Sequence, residues 1–153
     1  ENKFFISICI PSYNRPSGLK RLLESIDSKR HINDLQIVSC EDYAPKRLEI
    51  REVVEEYKKN SPYYVKYVEN PVNFGHGKNW RQCSNQADGE FLLYIGDDDD
   101  FIPEALDPFI ETVGSSSLSS KAISITEVPN LTLVGLLNET VKFSHLRQAN
   151  HQE

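Results

Sequence analysis

The residues best placed to do chemistry are Gly96-Asp97-Asp98-Asp99-Asp100, four consecutive carboxylates directly after the apolar run Glu90–Ile95. Adjacent carboxylates repel one another, so the pattern costs free energy unless solvent or a cation compensates. Hard oxygen donors favour Mg²⁺ or Mn²⁺, ions that also bind substrate phosphates. The plainer reading is an acidic turn ahead of a helix opened by Pro103, where negative charge meets the helix dipole. An EF-hand is excluded, because its Gly and its later Glu do not fall at the required spacing.

Three further loops could contribute. Pro11-Ser12-Tyr13-Asn14-Arg15-Pro16 places an aromatic ring beside amide and hydroxyl groups, suited to a base or ribose and equally to a capped turn. Glu41 and Asp42 follow a second apolar run and could accept hydrogen bonds from ribose hydroxyls or a base edge. Asn70 to Asn79 carries two glycines, several amides and Lys78; Lys78, with Arg81 one turn later, could neutralise a phosphate at a helix N-terminus. His76 in this loop reads as a surface residue. Neither G-x-G-x-x-G nor G-x-x-x-x-G-K-S/T occurs, which argues against a dinucleotide-dependent dehydrogenase and a P-loop NTPase. No Ser/His/Asp or Cys/His set has the flanking context that such nucleophiles need.

The elements positioning these loops follow from periodicity. Phe4–Ile10, Leu35–Cys40, Tyr63–Val68 and Glu90–Ile95 predict strands, the first buried on both faces. Between them, Leu19, Leu22, Leu23 and Ile26 predict a helix capped by Ser17, and Ile50, Val53, Val54 and Tyr57 a helix opened by Pro45. Lys78–Gln86 and Pro103–Val113 predict two more. Strands alternating with helices imply βαβ units, a parallel sheet, and ligands bound beyond the carboxyl ends of the strands. Residues 114–120 hold five serines and read as a connecting loop. Ala122–Thr126 and Leu131–Leu137 are further strand candidates, and residues 121–153 stay unassigned as remainder of the domain or tail.

Bulk composition narrows the function. The 153 residues hold 23 acids against 17 bases, a net charge of −6. Nine acids and no Lys or Arg lie between Gln82 and Ser120, so that stretch is −9 and the rest is +3. This sign argues against wrapping nucleic acid. Of the nine, Glu104, Asp107 and Glu111 read as a solvated helix face. The hydrophobic share of 39% suffices for a core, and no apolar run reaches the roughly 20 residues of a membrane span. Cys9, Cys40 and Cys83 lack metal-site spacing and read as core residues in a reducing compartment, so the expected location is cytoplasmic.

The order of these pieces resembles family-2 glycosyltransferases of the GT-A fold over residues 4 to about 113. Ile6–Arg15 is similar to their opening strand and P-S/T-Y-N turn, and Val38–Asp42 to the end of their second strand. Asn73-Phe74-Gly75 with Lys78-Asn79 resembles their N-x-G…N segment, and Ala87–Phe91 the lead into the fourth strand. Gly96–Asp99 stands where the family has its D-x-D metal motif. Counting back from Pro103, the first Asp of that motif falls on Gly96 and the second on Asp98.

The resemblance implies an α/β, Rossmann-like GT-A fold with a mostly parallel sheet flanked by helices, with truncation left open, and residues 1–113 as the part binding a nucleotide-diphosphate sugar. It implies transfer of that sugar, with a UDP-sugar expected, to an acceptor hydroxyl on a glycan, a lipid-linked or another molecule, assisted by Mn²⁺ or Mg²⁺. Nucleic acid is not an expected partner, and peripheral membrane association stays open. The donor-nucleotide residues implied are Pro11, Tyr13, Asn14, Arg15, Glu41, Asp42, Asn73, Gly75, Lys78 and Asp97. Asp98 is the first choice of metal ligand, then Asp97 and Asp99. No catalytic base is identified. The competing readings are a non-catalytic nucleotide-binding or protein-interaction domain and a nucleotidyltransferase.

Overall fold

A computed structural model describes residues 3–115 in full and, beyond them, the strand backbones 122–128, 131–136, 139–143 and 147–149. The chain alternates β1 (Phe4–Ser12), α1 (Pro16–Ser25), β2 (Leu35–Glu41), α2 (Arg47–Asn60), β3 (Tyr64–Glu69), α3 (His76–Gln86) and β4 (Gly89–Tyr94). Then come β5 (Asp99–Phe101), α4 (Leu106–Gly114), β6 (Ala122–Val128), β7 (Leu131–Leu136), β8 (Glu139–Phe143) and β9 (Arg147–Ala149). The main sheet runs β3-β2-β1-β4-β6-β7-β8. Strands β3 to β6 in that order pair in parallel, while β7 and β8 add antiparallel. β5 pairs antiparallel with β9 in a separate two-stranded ladder.

Central β1 is flanked by β2 and β4 and covered by helices on both faces, and its side chains sort by parity. Ile6, Ile8 and Ile10 join Leu35, Ile37, Phe91 and Leu93 beneath Leu19, Leu22 and Leu23 of α1, Ile50 and Val54 of α2, and Phe109 and Ile110 of α4. On the opposite face Cys9, Val38, Cys40 and Tyr94 meet Cys83 and Trp80 of α3. The three cysteines are thus buried free thiols in a small core, and burial raises the Cys9 thiol well above its ordinary value.

Several local expectations are corrected. Ser17 does not cap α1; Pro16 occupies its first turn and Arg15 is the N-cap, with no side-chain cap. Pro45 lies in a turn before α2, and the α3 helix starts earlier, at His76, because Gly75 takes φ 86° as its N-cap. Pro103 leads into Glu104 at φ 64°, a left-handed residue that delays α4 to Leu106. The acidic loop is not all loop, since Asp99 and Asp100 enter β5. Nor is Asp107 solvated: it is buried and accepts the Ser28 hydroxyl at 2.5 Å and the Lys29 and Arg30 amides at 2.8 and 3.2 Å. Burial pushes the Asp107 carboxyl up, but these hydrogen bonds more than reverse it. Residues 116–120 of the serine-rich segment lie outside the described residues.

Candidate functional site

Parallel pairing brings the ends of β1, β2, β3 and β4 to one edge. Backbone bonds pin them there: Asp42 N donates to Ser12 O at 3.2 Å, Asn70 N to Glu41 O at 2.8 Å and Ile95 N to Cys9 O at 3.1 Å. Beyond this edge opens a cavity of about 600 Å³, lined by Pro11, Tyr13, Arg15, Asp42, Asn73, Gly75, Asp97 and Asp98 among the residues expected to act. That size falls in the range of small-molecule sites. A larger cavity of about 740 Å³ lies between α1 and α2, with Leu23, Ile26, Tyr57 and Tyr63 in its walls, away from these loops.

Asp42 organises one wall. Its carboxylate accepts the amides of Phe74 and Gly75 at 2.7 and 3.0 Å and the Asn70 side-chain amide at 3.0 Å. Asn73 Nδ2 donates to the Asp42 carbonyl at 3.0 Å. Asn79 continues the network, accepting from Asn70 at 2.8 Å and donating to Cys40 O at 3.0 Å. These bonds explain the loop's composition. Amide side chains and a glycine with positive φ let it fold around a buried carboxylate.

Asp97 organises the other wall. It is buried, its Oδ2 accepting the Tyr13 amide at 3.1 Å and its Oδ1 the Arg15 Nη1 at 3.1 Å. Burial pushes its carboxyl up, and the Tyr13 and Arg15 bonds only partly pull it back. Asp98 is more exposed, with Oδ2 at 3.9 Å from the same Arg15 nitrogen. The α1 backbone presses on this loop: a Cβ on Gly18 would lie 2.4 Å from the Asp97 carbonyl oxygen, so only glycine fits.

Four expected residues stand off the cavity. Glu41 is fully buried and accepts the Tyr43 and Ala44 amides at 3.0 and 2.7 Å, bracing the turn after β2. Burial raises its carboxyl against those two bonds. Asn14, at φ 60°, accepts the Lys46 amide at 3.0 Å. Lys78 is exposed on α3, and Asp99 is buried at the head of β5. Ser12, His76, Asn79, Trp80 and Gly96, none of them among the implied donor or metal residues, also line the cavity. The i, i+3, i+4 spacing of His76, Asn79 and Trp80, which puts one helix face on the cavity, was the available signal. Trp80 stacks on Tyr94 at 4.6 Å, and the Tyr94 hydroxyl bonds Ser84.

Among the described residues no group of three or more His, Cys, Asp or Glu forms a metal cage. Two carboxylates nevertheless meet at the cavity, with a guanidinium standing between them as a cation. Such a hard, incomplete donor set suits an ion like Mg²⁺, which keeps waters and substrate phosphates among its ligands. No helix of the described residues is long and apolar enough to cross a membrane.

This chain belongs to Glycosyl transferase family 2, whose pattern matches residues 7–119. The abequosyltransferase RfbV of Salmonella typhimurium is 30% identical over 102 residues, which are 66% of this chain and 30% of that protein. The GalNAc(5)-diNAcBac-PP-undecaprenol beta-1,3-glucosyltransferase of Campylobacter jejuni is 28% identical over 108 residues, 69% of this chain and 33% of the relative. The chain therefore spans about a third of the length of these relatives. In fold it is similar to S. aureus TarS 1-349, also solved in complex with UDP: TM-scores are 0.63 and 0.62 at 24% identity, over 72% of this chain and 32% of each TarS chain. The fold is α/β with a mostly parallel sheet, as in GT-A glycosyltransferases.

Proposed function

We propose that this chain forms the donor-binding part of a glycosyltransferase, moving a sugar from a nucleotide diphosphate, a UDP-sugar first, to an acceptor hydroxyl. The observation that carries this reading is the convergence of Tyr13, Asp42, Asn73, Asp97 and Asp98 on one cavity at the carboxyl edge of a parallel sheet. Tyr13, half exposed, offers its ring to the nucleoside. The Asp42 network shapes the wall facing it.

Asp97 and Asp98 would hold Mn²⁺ or Mg²⁺. Such an ion supplies positive charge that stabilises the diphosphate as it leaves. Asp97 is fixed for this by burial and by the Tyr13 amide, while exposed Asp98 is free to adjust. Residues 1–113 provide this binding part. The acceptor site and the group that deprotonates the acceptor belong to the whole protein's activity, which this chain represents over about a third of the relatives' length.

Calorimetry with UDP, with and without Mn²⁺, tests the reading. Metal-dependent UDP binding together with slow hydrolysis of a UDP-sugar supports it. Binding without hydrolysis turns it into a nucleotide-binding domain, and no binding of any nucleoside diphosphate under either condition rejects it.

A further inference from the structure

One nitrogen, Arg15 Nη1, reaches both acidic residues of the site, at 3.1 Å from Asp97 Oδ1 and 3.9 Å from Asp98 Oδ2. The second oxygen of Asp97 is occupied by the Tyr13 amide. A cation approaching either oxygen of Asp97 therefore meets the charge of Arg15, whose guanidinium lies in contact with the same carboxylate. A divalent ion on these carboxylates and the Arg15 guanidinium repel one another at this range, so each weakens the hold of the other. Arg15 has a way out: its backbone is fixed as the N-cap of α1, with Leu19 N donating to its carbonyl at 2.9 Å, but its side chain is 42% exposed. Rotation of the side chain alone frees both carboxylates.

We propose that Arg15 is an internal counter-ion that holds Asp97 and Asp98 together in the metal-free protein and competes with the divalent ion for them. The inference rests on the proposed metal-assisted reading of the same cavity. Arg15 thereby lowers metal affinity before the nucleotide binds, and a donor diphosphate, offering the guanidinium another bidentate partner, relieves the competition. Ion and nucleotide then bind with positive coupling, and part of that coupling passes through Arg15.

The test is Mn²⁺ binding to the full 153-residue chain, read from the free-ion signal in electron paramagnetic resonance. Removing the competitor in Arg15→Gln should tighten Mn²⁺ binding roughly fivefold, the equivalent of losing a partly exposed ion pair. Arg15→Lys, which keeps the charge but not the fork, should fall between the variant and the original chain. The coupling between Mn²⁺ and UDP should shrink in Arg15→Gln. In the unsubstituted chain, the Arg15 guanidinium resonance should shift on titration with diamagnetic Mg²⁺, with the same midpoint as binding; this measurement decides the matter even where a substitution unfolds the protein. Unchanged or weaker Mn²⁺ binding in a folded Arg15→Gln, or an Arg15 resonance indifferent to Mg²⁺, overturns this inference and leaves the metal-assisted reading standing. Failure of Mn²⁺ to bind the original chain and the variants, with or without UDP, overturns both.

Discussion

The Asp42 carboxylate accepts the Gly75 amide at 3.0 Å and so ties the end of β2 to the N-cap of α3. The same group holds Phe74 N and Asn70 Nδ2, which makes one buried charge responsible for the shape of a whole wall of the cavity. A buried carboxylate surrounded by donors is replaceable only by a group that accepts from all of them.

Asp42→Asn can keep an acceptor oxygen for Phe74 N and Asn70 Nδ2 but then sets an NH₂ against the Gly75 amide, which requires an acceptor. It should cost about 2 kcal/mol of stability and weaken UDP roughly tenfold. Urea unfolding and calorimetry on the same samples check both. A variant with normal UDP affinity would show that the wall does not serve the nucleotide.

Asp97 and Asp98 should respond differently, because one is buried and the other is not. Asp98→Ala should abolish the metal dependence of UDP binding and leave the unfolding midpoint unchanged. Asp97→Asn should also lose metal binding, yet keep its stability within about 1 kcal/mol or gain some, since it removes a charge whose burial its partners do not fully offset. A large loss of stability in Asp97→Asn would mean that the Tyr13 and Arg15 bonds outweigh that burial.

The contrast between these residues marks what the sequence could tell. Strands β1 to β4 were legible because short apolar runs rich in β-branched and aromatic residues, bounded by turn residues, read as strands, and the edge carrying the cavity followed from their parallel order. The division of labour among acids was not. Glu41 and Asp42 are neighbours of the same type, but strand parity turns one into a turn brace and gives the other a place on the cavity. Asp107 looked like a solvated helix residue because nothing local shows that the 28–30 loop folds over it. β5 was hidden as well, since its partner β9 lies almost 50 residues away and no local pattern announces a long-range ladder.

Gly18 offers a test of the α1 contact with the site. Alanine is worth about 1 kcal/mol more than glycine inside a helix. Here its Cβ would meet the Asp97 carbonyl at 2.4 Å, a backbone atom that cannot swing aside. Gly18→Ala should therefore lose a net 1–2 kcal/mol or so, and UDP affinity should fall with it as Asp97 is displaced. A more stable Gly18→Ala would show that the loop yields without cost.

Away from the site, Glu111 and His31 set a pH window for stability. Arg30, at 2.7 Å, and then His31, at 2.9 Å, hold the Glu111 carboxyl down to about 2 from its ordinary 4.5. Its contribution is complete above pH 4.5 and is lost as pH falls toward 2. His31, bonded first to Glu111 and then to Asp34, titrates above its ordinary 6.5. Its contribution is complete below pH 6.5 and is lost as pH rises through the folded value. From this cluster, stability should therefore peak between pH 4.5 and 6.5. His31→Gln should flatten the decline between pH 6.5 and 8 and reduce, without removing, the acid limb that Arg30 still sustains, and Glu111→Gln should weaken both limbs. Urea midpoints across pH 3 to 8 measure this directly. An alkaline decline of equal slope in His31→Gln would place its origin elsewhere in the molecule.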